Sequence, residues 1–123
     1  MPKVMHFELP AHDPERASKF YKSVLGWTTE KWNGPEDYWM VTTGSESEPG
    51  INGGIMRAPG PANGGVVNTV GVENLDDCVR KVLANGGQVV APRMSVPGMG
   101  YMAYCKDTEG NTFGLMQPDP SAK

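Results

Sequence analysis

Residues 13–26, Asp13-Pro14-Glu15-Arg16-Ala17-Ser18-Lys19-Phe20-Tyr21-Lys22-Ser23-Val24-Leu25-Gly26, read as a helix with both ends marked. Asp13 can cap the free N–H groups, Pro14 falls where a missing N–H costs nothing, and Glu15 meets the positive end of the dipole. Ala17, Phe20, Tyr21, Val24 and Leu25 recur at i, i+3, i+4, i+7 and i+8, and Gly26 supplies a left-handed terminator. The same pattern then returns. Asn74 caps a second helix with Asp76 and Asp77 in its first turn, Leu75, Cys78, Val79, Val82 and Leu83 repeat the stripe, and Gly86-Gly87 ends it. Asp13 and Asn74, Ala17 and Cys78, Tyr21 and Val82, and Gly26 and Gly87 are each 61 positions apart, while Gly54-Ile55-Met56 precedes Gly114-Leu115-Met116 by 60. A single one-residue gap aligns the two halves.

Short strands surround each helix. Residues 4–9 alternate, and Pro10 is expected to close that strand. Stretches at Trp27–Trp32, Tyr38–Thr43 and Ile51–Ala58 follow, separated by Asn33-Gly34-Pro35 and by the polar segment Gly44–Gly50. The run Ala58-Pro59-Gly60-Pro61-Ala62-Asn63-Gly64-Gly65 reads as a linker. Beyond it come Val66–Val72, the second helix, and strands at Gln88–Val90, Tyr101–Lys106 and Thr112–Gln117. Asp107-Thr108-Glu109-Gly110-Asn111 makes a hairpin loop between the last two. The expectation is one α+β domain over 1–123: module 1 at about 1–60, a linker at 58–65, module 2 at about 66–118, and a tail at 119–123. Each module is βαβββ, and neither can bury its helix stripe alone. They are therefore expected to pair under pseudo-twofold symmetry, with a curved mixed sheet forming a cleft.

Composition narrows the function classes. Eleven Lys and Arg against 14 Asp and Glu give a net charge of −3, and no basic block offers a footprint for nucleic acid or an anionic membrane. No apolar run approaches the ~18 residues that span a bilayer. Met1-Pro2-Lys3-Val4-Met5-His6 lacks the apolar core of a signal peptide, so a cytoplasmic address is expected by default. Cys78 and Cys105 lie 27 residues apart with no CxxC spacing and read as reduced thiols acting as small hydrophobes. Two histidines and no nucleophile elbow leave no Ser/His/Asp triad to argue.

The paired βαβββ pattern resembles the vicinal oxygen chelate superfamily, which includes glyoxalase I, extradiol dioxygenases, methylmalonyl-CoA epimerase and bleomycin resistance proteins. The resemblance rests on several stretches taken together and in order. These are His6-Phe7-Glu8-Leu9, Asp13-Pro14-Glu15-Arg16-Ala17, Phe20-Tyr21, Leu25-Gly26-Trp27, Gly86-Gly87 and the Asp107–Asn111 turn. The glyoxalase/bleomycin-resistance branch is the most similar. In that family the first and last strands of each half supply one metal ligand apiece, and carrying those positions over gives His6, Gly54, Val67 and Gly114. Only His6 has a donor atom, so the resemblance implies loss of the usual metal shell and makes ordinary glyoxalase I activity unexpected. A one-residue shift would put Asn68 in place of Val67, although an amide replaces imidazole poorly.

Glu8, two residues from His6, points to the same strand face and completes the only local donor pair. Gly54 and Gly114 remove side-chain volume from the expected cleft floor. Tyr38 and Trp39 alternate on one strand, so one should face the cleft. Trp39 is taken for that role, with Gly54, Val67, Met99 and Gly114 as further substrate-binding positions. Ser95–Gly100 reads as a lid or a plain connection. The leading expectation is a protein that binds a small organic molecule without a metal or other cofactor, as a homodimer whose second copy covers sheet edges. The alternative is a glyoxalase-like lyase or isomerase, or a dioxygenase, that uses His6 and Glu8 with a weakly held divalent metal.

Overall fold

The computed structural model describes residues 1–58 and 65–123, so most of the expected linker, residues 59–64, lies outside the described residues. The chain runs β1 (Lys3–Ala11), α1 (Pro14–Leu25), β2 (Thr28–Lys31), β3 (Tyr38–Thr42), β4 (Gly53–Arg57), β5 (Val67–Gly71), α2 (Leu75–Ala84), β6 (Gln88–Val96), β7 (Gly100–Lys106) and β8 (Thr112–Pro118). This is an α+β chain of two βαβββ modules. It separates into two compact units, His6–Val67 and Asn68–Lys123, and the second also includes Met1–Met5.

In the first unit the strands lie in the order β2-β3-β4-β1, with β2, β3 and β4 antiparallel and β4 parallel to β1. In the second the order β6-β7-β8-β5 repeats that arrangement, with β8 parallel to β5. The duplication extends to register. Glu8 pairs with Gly54 and Thr69 with Gly114, so the partners keep the offsets of 61 and 60 read from the sequence.

Both helix starts are capped as expected. The Asp13 carboxylate accepts from Arg16 N at 3.1 Å, and the Asn74 side chain accepts from Asp77 N at 3.0 Å. Gly26 ends α1 at φ +75°. The buried side of α1 is narrower than its apolar stripe. Pro14 and Ser18 are buried, and Ala17 and Tyr21 pack on the first core of Trp39, Val41 and Ile55. Ser18 Oγ donates to Pro14 O at 2.8 Å, which satisfies the hydroxyl where it is buried. Phe20, Val24 and Leu25 stay more than half exposed. In the second unit Leu75 is fully buried against Val72, Ala103, Cys105 and Leu115, with Cys78, Val79 and Val82 packed around them.

Strands β1 and β6 run past the limits expected from the sequence. Pro10 lies inside β1 rather than ending it. The Ala11 carbonyl accepts from Ala58 N on the β4 side at 2.8 Å, so the N–H that residue 10 lacks would point away from β4. Strand β6 continues to Val96 instead of stopping at Val90. Its pairing with β7 slips between Val89 and Met94, a bulged stretch that contains Pro92 and so accommodates the missing donor. The suggested lid at Ser95–Gly100 is therefore the end of a hairpin. Met99 N donates to Val96 O at 3.0 Å and Gly98 turns at φ +74°. The 119–123 stretch docks on that turn: Gly98 N donates to Ala122 O at 2.8 Å and Asp119 N to Met99 O at 2.9 Å.

Candidate functional site

Successive residues of a strand point to opposite faces, and in β1 that alternation separates packing from chemistry. Phe7, Leu9 and Ala11 join the core beneath α1. His6 and Glu8 occupy the other face. The register sets Gly54 and Met40 in line with Glu8, and Met56 in line with Tyr38. His6 is half-buried, and Glu8 is only 5% exposed.

Tyr38 belongs to β3, and β4 lies between β3 and β1. Its hydroxyl nonetheless stands 2.6 Å from His6 Nε2, a short hydrogen bond whose direction follows the imidazole tautomer. Gly54 makes the crossing possible. A Cβ on that residue would fall inside the Tyr38 phenol, with the hydroxyl oxygen as its nearest neighbour. The Tyr38 ring lies nearly parallel to the imidazole, 16° apart, and meets the edge of Trp32 at 78°. Trp32 N also donates to Tyr38 O at 2.7 Å, fixing the backbone at the start of β3. Burial holds the His6 imidazole below the ordinary histidine range, and the Glu8 charge opposes that shift without cancelling it. Near neutral pH the pair is an uncharged imidazole bonded to a phenol, and it can hold a polar ligand atom or transfer a proton.

The donor set does not suit the metal that the resemblance implies. At the carried-over positions the Gly54 volume belongs to Tyr38, Val67 is buried and apolar, and Gly114 has no side chain. Asn68 cannot take over from Val67, because it pairs with Phe113 and alternates with Thr69, the partner of Gly114, onto the opposite face. Among the described residues no three His, Cys, Asp or Glu side chains come together as a metal site.

The remaining candidates are dispersed. Trp39 is 7% exposed and sits in the core with Val41 and Ile55, with Lys31 Nζ 5.4 Å from its ring centre. Of the alternating pair on β3, it is Tyr38 that shares the face of His6. Met99 is 45% exposed on the hairpin turn, and Gly114 lies in the second unit between Thr69 and Tyr104. His12 is exposed, and its carbonyl accepts from Arg57 Nη1 at 3.0 Å. The sequence leaves Tyr38 and Trp39 as alternatives for that face, and the expectation falls on Trp39. The available signal was a tyrosine on a strand followed by a glycine at the floor position of the next.

The family described as bleomycin resistance protein-like N-terminal matches residues 3–44. A mycobacterial protein named "Putative glyoxylase CFP32", from Mycobacterium bovis, is 30% identical over 119 residues, covering 92% of this chain and 43% of the relative. The chain thus spans less than half the length of that relative. A "Glyoxylase-like domain-containing protein" of Didymella fabae is 27% identical over 120 residues, covering 92% of this chain and 91% of the relative. Among solved structures, a glyoxalase/bleomycin resistance protein/dioxygenase superfamily member from Vibrio splendidus superposes with a TM-score of 0.62 at 16% identity, covering 94% of this chain and 97% of that one.

Proposed function

Because this chain belongs to the glyoxalase/bleomycin resistance/dioxygenase superfamily, the vicinal oxygen chelate fold, we propose that it binds a small organic molecule through His6 and Tyr38, without a metal. One observation carries the reading. The volume in which the family places a metal ligand, at position 54, holds the Tyr38 hydroxyl, hydrogen-bonded to the one retained family ligand at 2.6 Å. A phenol and a neutral imidazole recognise polar atoms on an otherwise apolar ligand, and Met40 and Met56 on the same face adapt to its shape. No helix among the described residues is long and apolar enough to cross a membrane. We take the protein to act in the cytoplasm as a homodimer. The exposed Phe20, Val24 and Leu25 flank of α1 supports association, and sedimentation at several concentrations tests it.

The test combines elemental analysis with a ligand screen. Purified protein is expected to carry no stoichiometric Ni, Zn, Fe, Mn or Co after incubation with these ions. An organic compound is expected to raise its melting temperature saturably, unaffected by chelator and abolished by His6→Ala. Near-stoichiometric metal that disappears in His6→Ala overturns the reading.

A second reading, proton transfer on the bound molecule, is favoured by the neutral state of His6. An imidazole held uncharged beside Tyr38 is ready to accept a proton near neutral pH. Turnover lost in His6→Ala, with ligand binding retained in Tyr38→Phe, distinguishes catalysis from sequestration.

A further inference from the structure

An asparagine followed by glycine can cyclise on itself, because no side chain shields the next backbone nitrogen. The chain has four such pairs: Asn33-Gly34, Asn52-Gly53, Asn63-Gly64 and Asn85-Gly86. Asn63-Gly64 lies outside the described residues, and the fold treats the other three differently.

Two of them are held. Asn52 Oδ1 accepts from Thr43 N at 2.9 Å and from Thr43 Oγ1 at 3.2 Å, and Gly53 is buried in β4. Asn85 Nδ2 donates to Lys81 O at 2.8 Å, and Gly86 N donates to Leu83 O at 3.4 Å. Each must break hydrogen bonds before its side-chain carbonyl carbon can reach the next nitrogen. Asn33 and Gly34 are both exposed in the bend between β2 and β3. Neither the Asn33 side chain nor the Gly34 N–H makes a hydrogen bond among the described residues.

This bend borders the face of His6. The Trp32 indole folds back over Gly34 so closely that a Cβ there would collide with the ring. The same indole meets Tyr38 edge-on at 78°, with 6.2 Å between ring centres, and the Tyr38 hydroxyl is bonded to His6. The backbone at Gly34 thus supports one end of an aromatic contact whose other end reaches the imidazole.

We propose that Asn33-Gly34 is a site of spontaneous modification by water, and that its isoaspartate product loosens Trp32 from Tyr38. The Gly34 amide nitrogen bonds to Asn33 Cγ, the Cγ–Nδ2 bond breaks, and ammonia leaves with the Gly34 amide proton. Water then opens the cyclic imide. Opening at Cγ leaves aspartate on an unchanged backbone. Opening at the main-chain carbonyl leaves isoaspartate, whose backbone runs through Cβ and Cγ and is one carbon longer. Either product adds a negative charge, and nothing is oxidised or reduced. The extra carbon displaces Gly34 from the Trp32 ring. This holds whatever molecule the face of His6 binds.

The test uses Asn63→Gln protein, so that the remaining pair outside the described residues does not contribute. The folded protein is aged in mildly alkaline buffer and mapped by mass spectrometry with fragmentation that separates aspartate from isoaspartate. Conversion at Asn33 is expected to be about tenfold faster or more than at Asn52 or Asn85, the scale of the hydrogen bonds that must open there. In urea the three rates should converge. Ion exchange then isolates the aged form by its added charge, and NMR compares it with Asn33→Asp. The isoaspartate form is expected to shift the Trp32 indole and Tyr38 ring signals, while Asn33→Asp leaves them near their unmodified positions. Comparable rates at the three sites in folded protein overturn the proposal. So do Trp32 and Tyr38 signals that stay unmoved in the isoaspartate form.

Discussion

Tyr38 reaches His6 by crossing β4 over Gly54, which has no side chain to stop it. The contact therefore depends on a third residue that donates and accepts nothing through a side chain. Gly54→Ala should expel the phenol and cost about 1–3 kcal/mol, the range for overpacking a filled site. Pairing it with Tyr38→Ala should recover much of that loss, because the second change removes what the new methyl strikes. Urea denaturation of the double-mutant cycle measures the coupling, and additive losses would mean that the crossing does not govern stability.

The depressed basicity of His6 fixes the sign of a pH effect. Unfolded, the imidazole titrates near its ordinary value of about 6.5, and folded it titrates lower because it is buried. Between those two values the unfolded chain binds the extra proton, so folding stability rises with pH across that window and is flat above it. Denaturation midpoints below pH 6.5 should fall as pH drops, and His6→Gln should remove that part of the slope. Tyr38→Ala, by opening His6 to water, should bring its titration back toward the ordinary value, while Tyr38→Phe keeps the ring and the shift.

Thr69→Val should make the protein more stable by about 1 kcal/mol, because a buried hydroxyl with no hydrogen-bond partner among the described residues gives way to a methyl group. Thermal melts read this directly. A lower melting temperature would show that the hydroxyl is satisfied in the folded chain.

The two helix caps provide a control on the duplicated architecture. Asp13→Ala and Asn74→Ala should each cost about 1 kcal/mol. The caps share no partner, so the losses should add in the double variant, as chemical denaturation can check.

Thiol labelling should separate the two cysteines. Burial, with a smaller effect from Cys78, pushes the Cys105 thiol above its ordinary range, and its side chain is fully enclosed. Native protein should react with iodoacetamide at half-buried Cys78 and label Cys105 only on unfolding.

The fold was legible because its signals are local and occur twice. Asp13-Pro14, Asn74, Gly26 and the repeated stripe each depend on a few neighbouring residues, and a residue offset compares one half with the other. The strand limits were less legible. Pro10 reads as a strand end and the sixth strand as stopping at Val90, yet whether a proline disrupts a strand depends on which side its missing N–H faces and on whether the ladder bulges there, as it does around Pro92. The site was only partly legible. His6 and Gly54 came from the family resemblance and Glu8 from alternation with His6, but deciding between Tyr38 and Trp39 required knowing which face of β3 meets α1. The hydroxyl of Thr69, without a partner among the described residues, had no sequence signal, since it depends on which groups β5, β8 and β7 set in line with it.

Strands β2 and β6 stand at the ends of the strand order, each with one ladder neighbour. The first is four residues long and carries Glu30 and Lys31, while the second is kinked at Pro92 and followed there by Arg93. A foreign chain seeking to extend either ladder meets charge on one side and a broken run of donors on the other. Freshly synthesised protein thus has a built-in guard against fibril growth from its open borders, and one that owes nothing to a second copy.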